Sequence, residues 1–183
     1  MRIFVAVSLD GETRHALAHA LSAGVASIPG KIVPPENWHL TLRFLGDVEE
    51  VACDRLLGCL SESDLGGAFT LRWEGLGAFP RPDRATVLWV GVGAGLDRLE
   101  ALEDATDAAI DRAGFPAEER PFNPHLTLSR IRPPQDLTAI LASAPGVSIP
   151  MAVDRIGVFR SRLGEGAPRY RLLEEFLLPS SAG

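Results

Sequence analysis

The chain has 183 residues, 46% of them hydrophobic, and a formal net charge of −6. That length and apolar content fit one globular domain or two small lobes sharing a core, and exclude a disordered chain. The negative balance excludes broad duplex binding, which needs a basic face, but leaves open the binding of one phosphate or of a nucleic-acid end.

Ile3 to Ser8 reads as a buried strand, too short for the apolar core of a secretion signal. Asp10 starts a helix whose apolar stripe is Ala16, Leu17, Ala20 and Leu21. Gly30 to Pro35 is an extended, proline-broken connection that contains Lys31, the only lysine. Trp38 to Leu45 is a strand closed by Gly46-Asp47, and Val48 to Leu60 is a second helix with Val51, Leu56, Leu57 and Leu60 apolar. Phe69 to Phe79 and Arg84 to Val92 are strands joined by Pro80-Arg81-Pro82-Asp83, a turn by composition. Gly93 to Ala113 is the longest helix, with Leu96, Leu99, Leu102, Ala105, Ala109 and Ile110 periodic and Gly114 as its C′ residue. Phe122-Asn123-Pro124 leads into another strand, and Gln135 to Ala144 is a short helix. Val147 to Phe159 and Arg169 to Leu178 are strands around a Gly164-Glu165-Gly166 turn. No apolar run approaches the roughly 18 residues of a membrane span, which points to a soluble, cytoplasmic protein.

The tetrapeptide His-Leu-Thr-Leu occurs twice, at 39–42 and 125–128, once in each half. Both copies lie in a predicted strand that follows a proline-containing loop and precedes a helix, which suggests two α+β lobes packed around a shared cleft. Residues i and i+2 of a strand share a face. His39 and Thr41 therefore point one way while Leu40 and Leu42 point into a core, and His125 and Thr127 repeat the pattern. Two such strands make a cleft with two imidazoles and two hydroxyls, the equipment for acid–base chemistry on a phosphate. One imidazole must be protonated and one neutral, and Thr41 and Thr127 donate to the non-bridging oxygens where charge builds. The residues alone do not decide which histidine is the acid.

The paired motifs resemble the H-x-T-x motifs of the two-histidine (2H) phosphoesterase superfamily. Phe4-Val5-Ala6-Val7 with Leu9-Asp10, and Asn37 through Gly46, resemble the bacterial and archaeal RNA 2′,3′-cyclic phosphodiesterases, also called the 2′-5′ RNA ligase family. Val87 to Gly91, Phe122 to His125 and the Tyr170 segment fit as well, so the resemblance covers nearly the whole chain. It implies an α+β fold in a single bilobal domain over residues 1–183, with two pseudo-symmetric lobes, two mainly antiparallel sheets around a central cleft, and helices outside. It implies hydrolysis of 2′,3′-cyclic phosphate ends to 2′-phosphates without metal or other cofactor, His39 acting as acid to the 3′-oxygen and His125 as base to water. Arg130 holds the place of the family's arginine five residues after the second histidine, where its fork of donors suits a phosphate. Phe44, which a regular strand would turn away from Thr41, matches an aromatic that can stack on the terminal base. The implied partners are RNA ends or nucleotides with a 2′,3′-cyclic phosphate, with no membrane or protein partner and a monomeric state.

Other features read more plainly. Arg43 is either a solvated charge or part of the site. His15 and His19 are spaced like metal ligands on one helix face, but no third ligand is apparent and they read as solvated. Gly91, Gly93 and Gly95 form a strand-to-helix turn rather than a dinucleotide fingerprint. Lys31 lacks the Asp-Gly that follows the lysine of nucleotidyl-lysine ligases, so the ligase label would not mean ATP-driven joining. Cys53 and Cys59 read as two reduced thiols. Alternative functions are a 2′,5′-phosphodiesterase or ATP-independent 2′-5′ ligase acting on short oligonucleotides, and a non-catalytic RNA-end binding module. Binding alone would not require two proton-transfer groups.

Overall fold

A computed structural model of the chain describes residues 1–22, 28–144, 146–162 and 168–180, and the Gly164-Glu165-Gly166 turn lies outside them. The strands are β1 (Arg2–Ser8), β2 (Lys31–Ile32), β3 (His39–Asp47), β4 (Phe69–Phe79), β5 (Ala85–Ala94), β6 (His125–Gln135), β7 (Ser148–Val153), β8 (Arg155–Arg162) and β9 (Arg169–Leu177). The helices are α1 (Gly11–Ser22), α2 (Glu50–Ser61), α3 (Leu96–Arg112) and α4 (Thr138–Ala142).

β1 is an unbroken apolar run because it is buried from Ile3 through Val7, between β3 and β8. The Asp10 carboxylate accepts the Thr13 backbone N–H at 2.6 Å, capping α1 as the sequence suggests. α1 packs on β7, and α3 packs on α2, β3 and β4. The α3 stripe buries Leu99, Leu102, Ala109 and Ile110, with Thr106 between them satisfied by the Leu102 carbonyl. Gly114 ends α3 at φ +88°; its N–H reaches the Asp111 carbonyl and that of Phe115 the Ile110 carbonyl, the paired bonds of a Schellman motif.

The strands run in the order β7-β4-β5-β6-β3-β1-β8-β9, antiparallel at every pairing, with β2 beside β6. β3 and β6 meet at a single pair, Leu40 with Leu126. The two expected antiparallel sheets are thus two wings of one curled sheet, β3-β1-β8-β9 and β6-β5-β4-β7, joined along that seam. Leu40, Leu42, Leu126 and Leu128 all point into one hydrophobic core with Leu56, Leu99 and Ile110.

Three boundaries differ from the sequence reading. The stretch from Val147 to Phe159 is two strands, because β7 pairs with β4 and β8 with β1, in opposite wings. The chain crosses between them at Asp154, whose carbonyl accepts the Leu178 N–H. α3 starts at Leu96 because Ala94 still pairs with Arg72, and α4 is short because β6 runs on to Gln135, paired with Ala85.

Candidate active site

The Leu40–Leu126 pair fixes what lies on the other face of the seam. In antiparallel register, His39 comes opposite Thr127 and Thr41 opposite His125. The histidines are then diagonal neighbours, with backbones roughly 7–8 Å apart. All four side chains are half-buried and line one cavity of about 770 Å³.

Both motif strands leave regular geometry at the same place. Along β3, Thr41 pairs with Ala6 and Arg43 with Val5, so Leu42 is an extra residue. Along β6, Thr127 pairs with Trp89 and Ser129 with Leu88, so Leu128 is extra. A bulge of this kind reverses the alternation beyond it. The fifth residue after each histidine therefore returns to the cavity face: Phe44 in one strand, Arg130 in the other. Phe44 does not point away from Thr41, as it would in a regular strand. Its ring is 42% exposed, parallel to that of Phe4 at 5.8 Å, with the Arg2 guanidinium 5.4 Å from its centroid.

The same bulge turns the preceding residue inward. Arg43 is 5% exposed and donates to Asp107 Oδ2 and to the Pro116 carbonyl, each at 2.6 Å. It is neither a solvated charge nor a member of the cavity; it ties β3 to α3. Ser129, its counterpart in β6, is fully buried.

Each imidazole is held in the same way. His39 Nδ1 donates to the Asn37 carbonyl at 2.8 Å, and His125 Nδ1 to the Asn123 carbonyl at 2.6 Å. A carbonyl only accepts, so the proton of each neutral ring is on Nδ1, and Nε2 is the nitrogen left to titrate. Rings wall both sides. His39 has Phe4 at 4.8 Å and Tyr170 edge-on at 5.2 Å; His125 has Phe79 edge-on at 4.9 Å and Trp89 at 6.4 Å. Burial among these rings lowers both histidine pKa values; the tethers to Asn37 and Asn123 partly oppose it, and the Arg130 charge adds to the lowering. His125 lowers His39 further, so the pair is electrostatically coupled.

Arg2, Lys31, Arg130 and Arg132 line the cavity, and no carboxylate lines it among the described residues. Of these only Arg130 was singled out as a phosphate ligand from sequence. Tyr170 also lines it, and its strand is pinned near His39 because Asn37 Nδ2 donates to the Pro168 carbonyl at 2.8 Å. An asparagine two positions before each histidine was a duplicated signal available in the sequence. The remaining candidates lie elsewhere. His15 and His19 are exposed on α1, and Cys53 and Cys59 are unpaired thiols on α2. Gly91 and Gly93 lie within β5, Gly91 paired with both Glu74 and His125, so only Gly95, at φ +84°, belongs to the expected strand-to-helix turn. Among the described residues, no group of three or more His, Cys, Asp or Glu could hold a metal ion.

The family described as LigT like Phosphoesterase matches the chain twice, over residues 10–89 and 90–170. An RNA 2′,3′-cyclic phosphodiesterase of Aeropyrum pernix is 37% identical over 173 residues, spanning 92% of this chain and 94% of its own. Among solved structures, Escherichia coli LigT complexed with 3′-AMP gives a TM-score of 0.81 at 27% identity, covering 97% of each chain. A Thermus thermophilus protein gives 0.82 at 30% identity over the whole of both chains.

Proposed function

The chain belongs to the LigT-like phosphoesterase family, and on that footing we propose that it is an RNA 2′,3′-cyclic phosphodiesterase opening its substrate to a 2′-phosphate. The observation that carries the reading is the seam, which sets two imidazoles and two hydroxyls on one face of a cationic cavity. Water attacks phosphorus, the bond from phosphorus to O3′ breaks, and the products are a 2′-phosphate and a free 3′-hydroxyl. His125 Nε2 takes the proton of the attacking water, and protonated His39 Nε2 delivers one to O3′. In-line displacement needs these two jobs on opposite sides of phosphorus, and the diagonal placement of the two histidines supports that division. Thr41, Thr127 and Arg130 donate to the non-bridging oxygens. Phe44 offers its exposed ring to the terminal base. These groups supply the proton transfers and charge stabilisation from side chains alone, so the reaction proceeds without metal.

The two wings act as lobes of one domain, and the protein works as a cytoplasmic monomer on RNA ends or nucleotides. No described helix is long and apolar enough to cross a membrane. The test is incubation with a nucleoside 2′,3′-cyclic phosphate in EDTA, with the products separated by chromatography. The nucleoside 2′-phosphate is expected. No turnover, or turnover restored only by a divalent metal, would defeat the mechanism.

A further inference from the structure

Resting on the phosphodiesterase reading, we infer that the cavity holds a second phosphate subsite, formed by Arg132 of β6 and Lys31 of β2, for the phosphate on the 5′ side of the terminal nucleotide. The favoured substrate is then an RNA end, or a cyclic nucleotide that also carries a 5′-phosphate, rather than a nucleoside 2′,3′-cyclic phosphate alone.

The placement follows from β6. Beyond the Leu128 bulge Arg130 is exposed, Ile131 fully buried and Arg132 exposed, and the ladder with β5 breaks again between Arg130 and Gln135. Arg130 and Arg132 therefore share the cavity face with His125 and Thr127. Two residues of extended chain advance at most about 6.6 Å, so Arg132 stands within the reach of one step between neighbouring phosphates of an RNA chain. β2 adds a cation beside them. Lys31 pairs with Arg130, and residues opposite one another in an antiparallel pair face the same way. Gly30 permits the approach: it sits at φ +86°, and a Cβ there would lie 2.5 Å from the Arg130 carbonyl oxygen. The Val33 N–H, bonded to the Leu128 carbonyl at 2.8 Å, holds the other end of the strap.

Charge counting favours a second anion. A cyclic phosphodiester bears one negative charge, and Thr41, Thr127 and Arg130 already provide for it. Arg132 adds a further cation beyond Arg130, and Lys31 stands opposite Arg130, in a cavity that no carboxylate lines among the described residues. Arg132 forms no salt bridge among those residues either. In a chain of net charge −6, such a local excess of cations draws phosphate to that point. Arg2 is the remaining arginine or lysine lining the cavity among the described residues, but it lies over Phe44, on the side proposed for the base.

The test compares kcat/KM for a nucleoside 2′,3′-cyclic phosphate with and without a 5′-phosphate. Calorimetry with the corresponding products, the 2′-phosphate and the 2′,5′-bisphosphate, reads the same subsite without turnover. The 5′-phosphate is expected to improve both measures on the order of tenfold, as one charge-assisted contact does. The salt dependence should steepen by about 0.7 in log–log slope. Arg132→Gln and Lys31→Gln should each bring the ratio toward one, whereas Arg130→Gln should weaken both ligands alike. A ratio near one in the unaltered protein overturns the subsite, as does a ratio kept by both variants or lost only in Arg2→Gln. If neither cyclic phosphate is hydrolysed, the phosphodiesterase reading fails, while the binding ratio still decides the subsite.

Discussion

At the scale of single residues, the two histidines are matched in tether and differ in surroundings. Both donate from Nδ1 to a carbonyl two residues back, so both present Nε2 to the same space. Removing either should cost roughly 10²–10⁴ in rate, the usual worth of a placed acid or base. In steady-state kinetics, the His39→Ala/His125→Ala double variant should be little worse than either single variant, since the pair acts as a unit. Thr41→Ala and Thr127→Ala should cost less, each losing one donor. A folded single-histidine variant of near-normal rate would count decisively against the mechanism. The pH dependence follows from the same geometry. On the proposed mechanism the active form carries one proton on the pair, and burial lowers both pKa values below the ordinary 6.5. That form is depleted as pH rises, because the acid loses its proton, and at low pH, because the base gains one. The profile of kcat/KM, which reports the free enzyme, should therefore peak below pH 6.5 and lose one limb in each His→Ala variant. A bound phosphate anion raises both values, so the alkaline limb of kcat should lie higher. A kcat/KM maximum well above pH 7 would contradict this account.

At the scale of elements, β3 is fixed from behind by α3. Arg43 is a buried charge whose partner Asp107 is 25% exposed, so the pair gains from contact but bears the cost of desolvation. Arg43→Met should destabilise the fold by about 3 kcal/mol, the lower end for a broken buried pair, and adding Asp107→Leu should recover part of it. Urea denaturation measures both, and a loss under about 0.5 kcal/mol would show that the pair is idle. Glu103, one turn before Asp107, is pushed up to about 7, first by burial and then by the Asp107 and Asp104 charges. A folded-state pKa above the unfolded value contributes stability at low pH that is lost as pH rises through 7. Glu103→Gln should accordingly raise Tm more at pH 8 than at pH 5. The shared face of His39, Thr41, His125 and Thr127 was legible because duplication and strand alternation are both written in the sequence. The bulges were not: an extra residue in a ladder has no compositional mark, so alternation alone sent Phe44 to the wrong face and left Arg43 ambiguous. Arg130 was placed by family resemblance, which carries the bulge implicitly. Arg2 and Arg132 were missed because a cation on a strand ordinarily reads as solvated, and only the topology of the sheet gathers four of them.

At the scale of the whole molecule, the halves of the sequence and the wings of the sheet are different divisions. The family model matches residues 10–89 and 90–170, yet one wing is built from β1 and β3 at the start of the chain and β8 and β9 at its end. The other wing takes the middle of the chain, β4 to β7. This could not be read from Val147 to Phe159, since a strand's own pattern names its buried face and not its partner. The crossing at Asp154 interlocks the wings. β1 is buried only when β3 and β8 flank it, and those two strands lie in different halves of the sequence. A fragment ending at Ala94 would leave one edge of β1 open and β4 without β7, exposing Ile3, Val5, Leu71 and Trp73, all fully buried in the intact chain. At about 25 cal/mol per Å² of apolar surface, those four side chains alone are worth several kcal/mol, comparable to the whole stability of a domain. Fragments 1–94 and 95–183 should therefore each lack cooperative structure by circular dichroism. The intact chain should unfold in one transition, with amides of β1 and β5 exchanging at the same opening free energy. A half that melts cooperatively alone, or a wing that opens several kcal/mol before the other, would show that the seam between Leu40 and Leu126 joins two independent units.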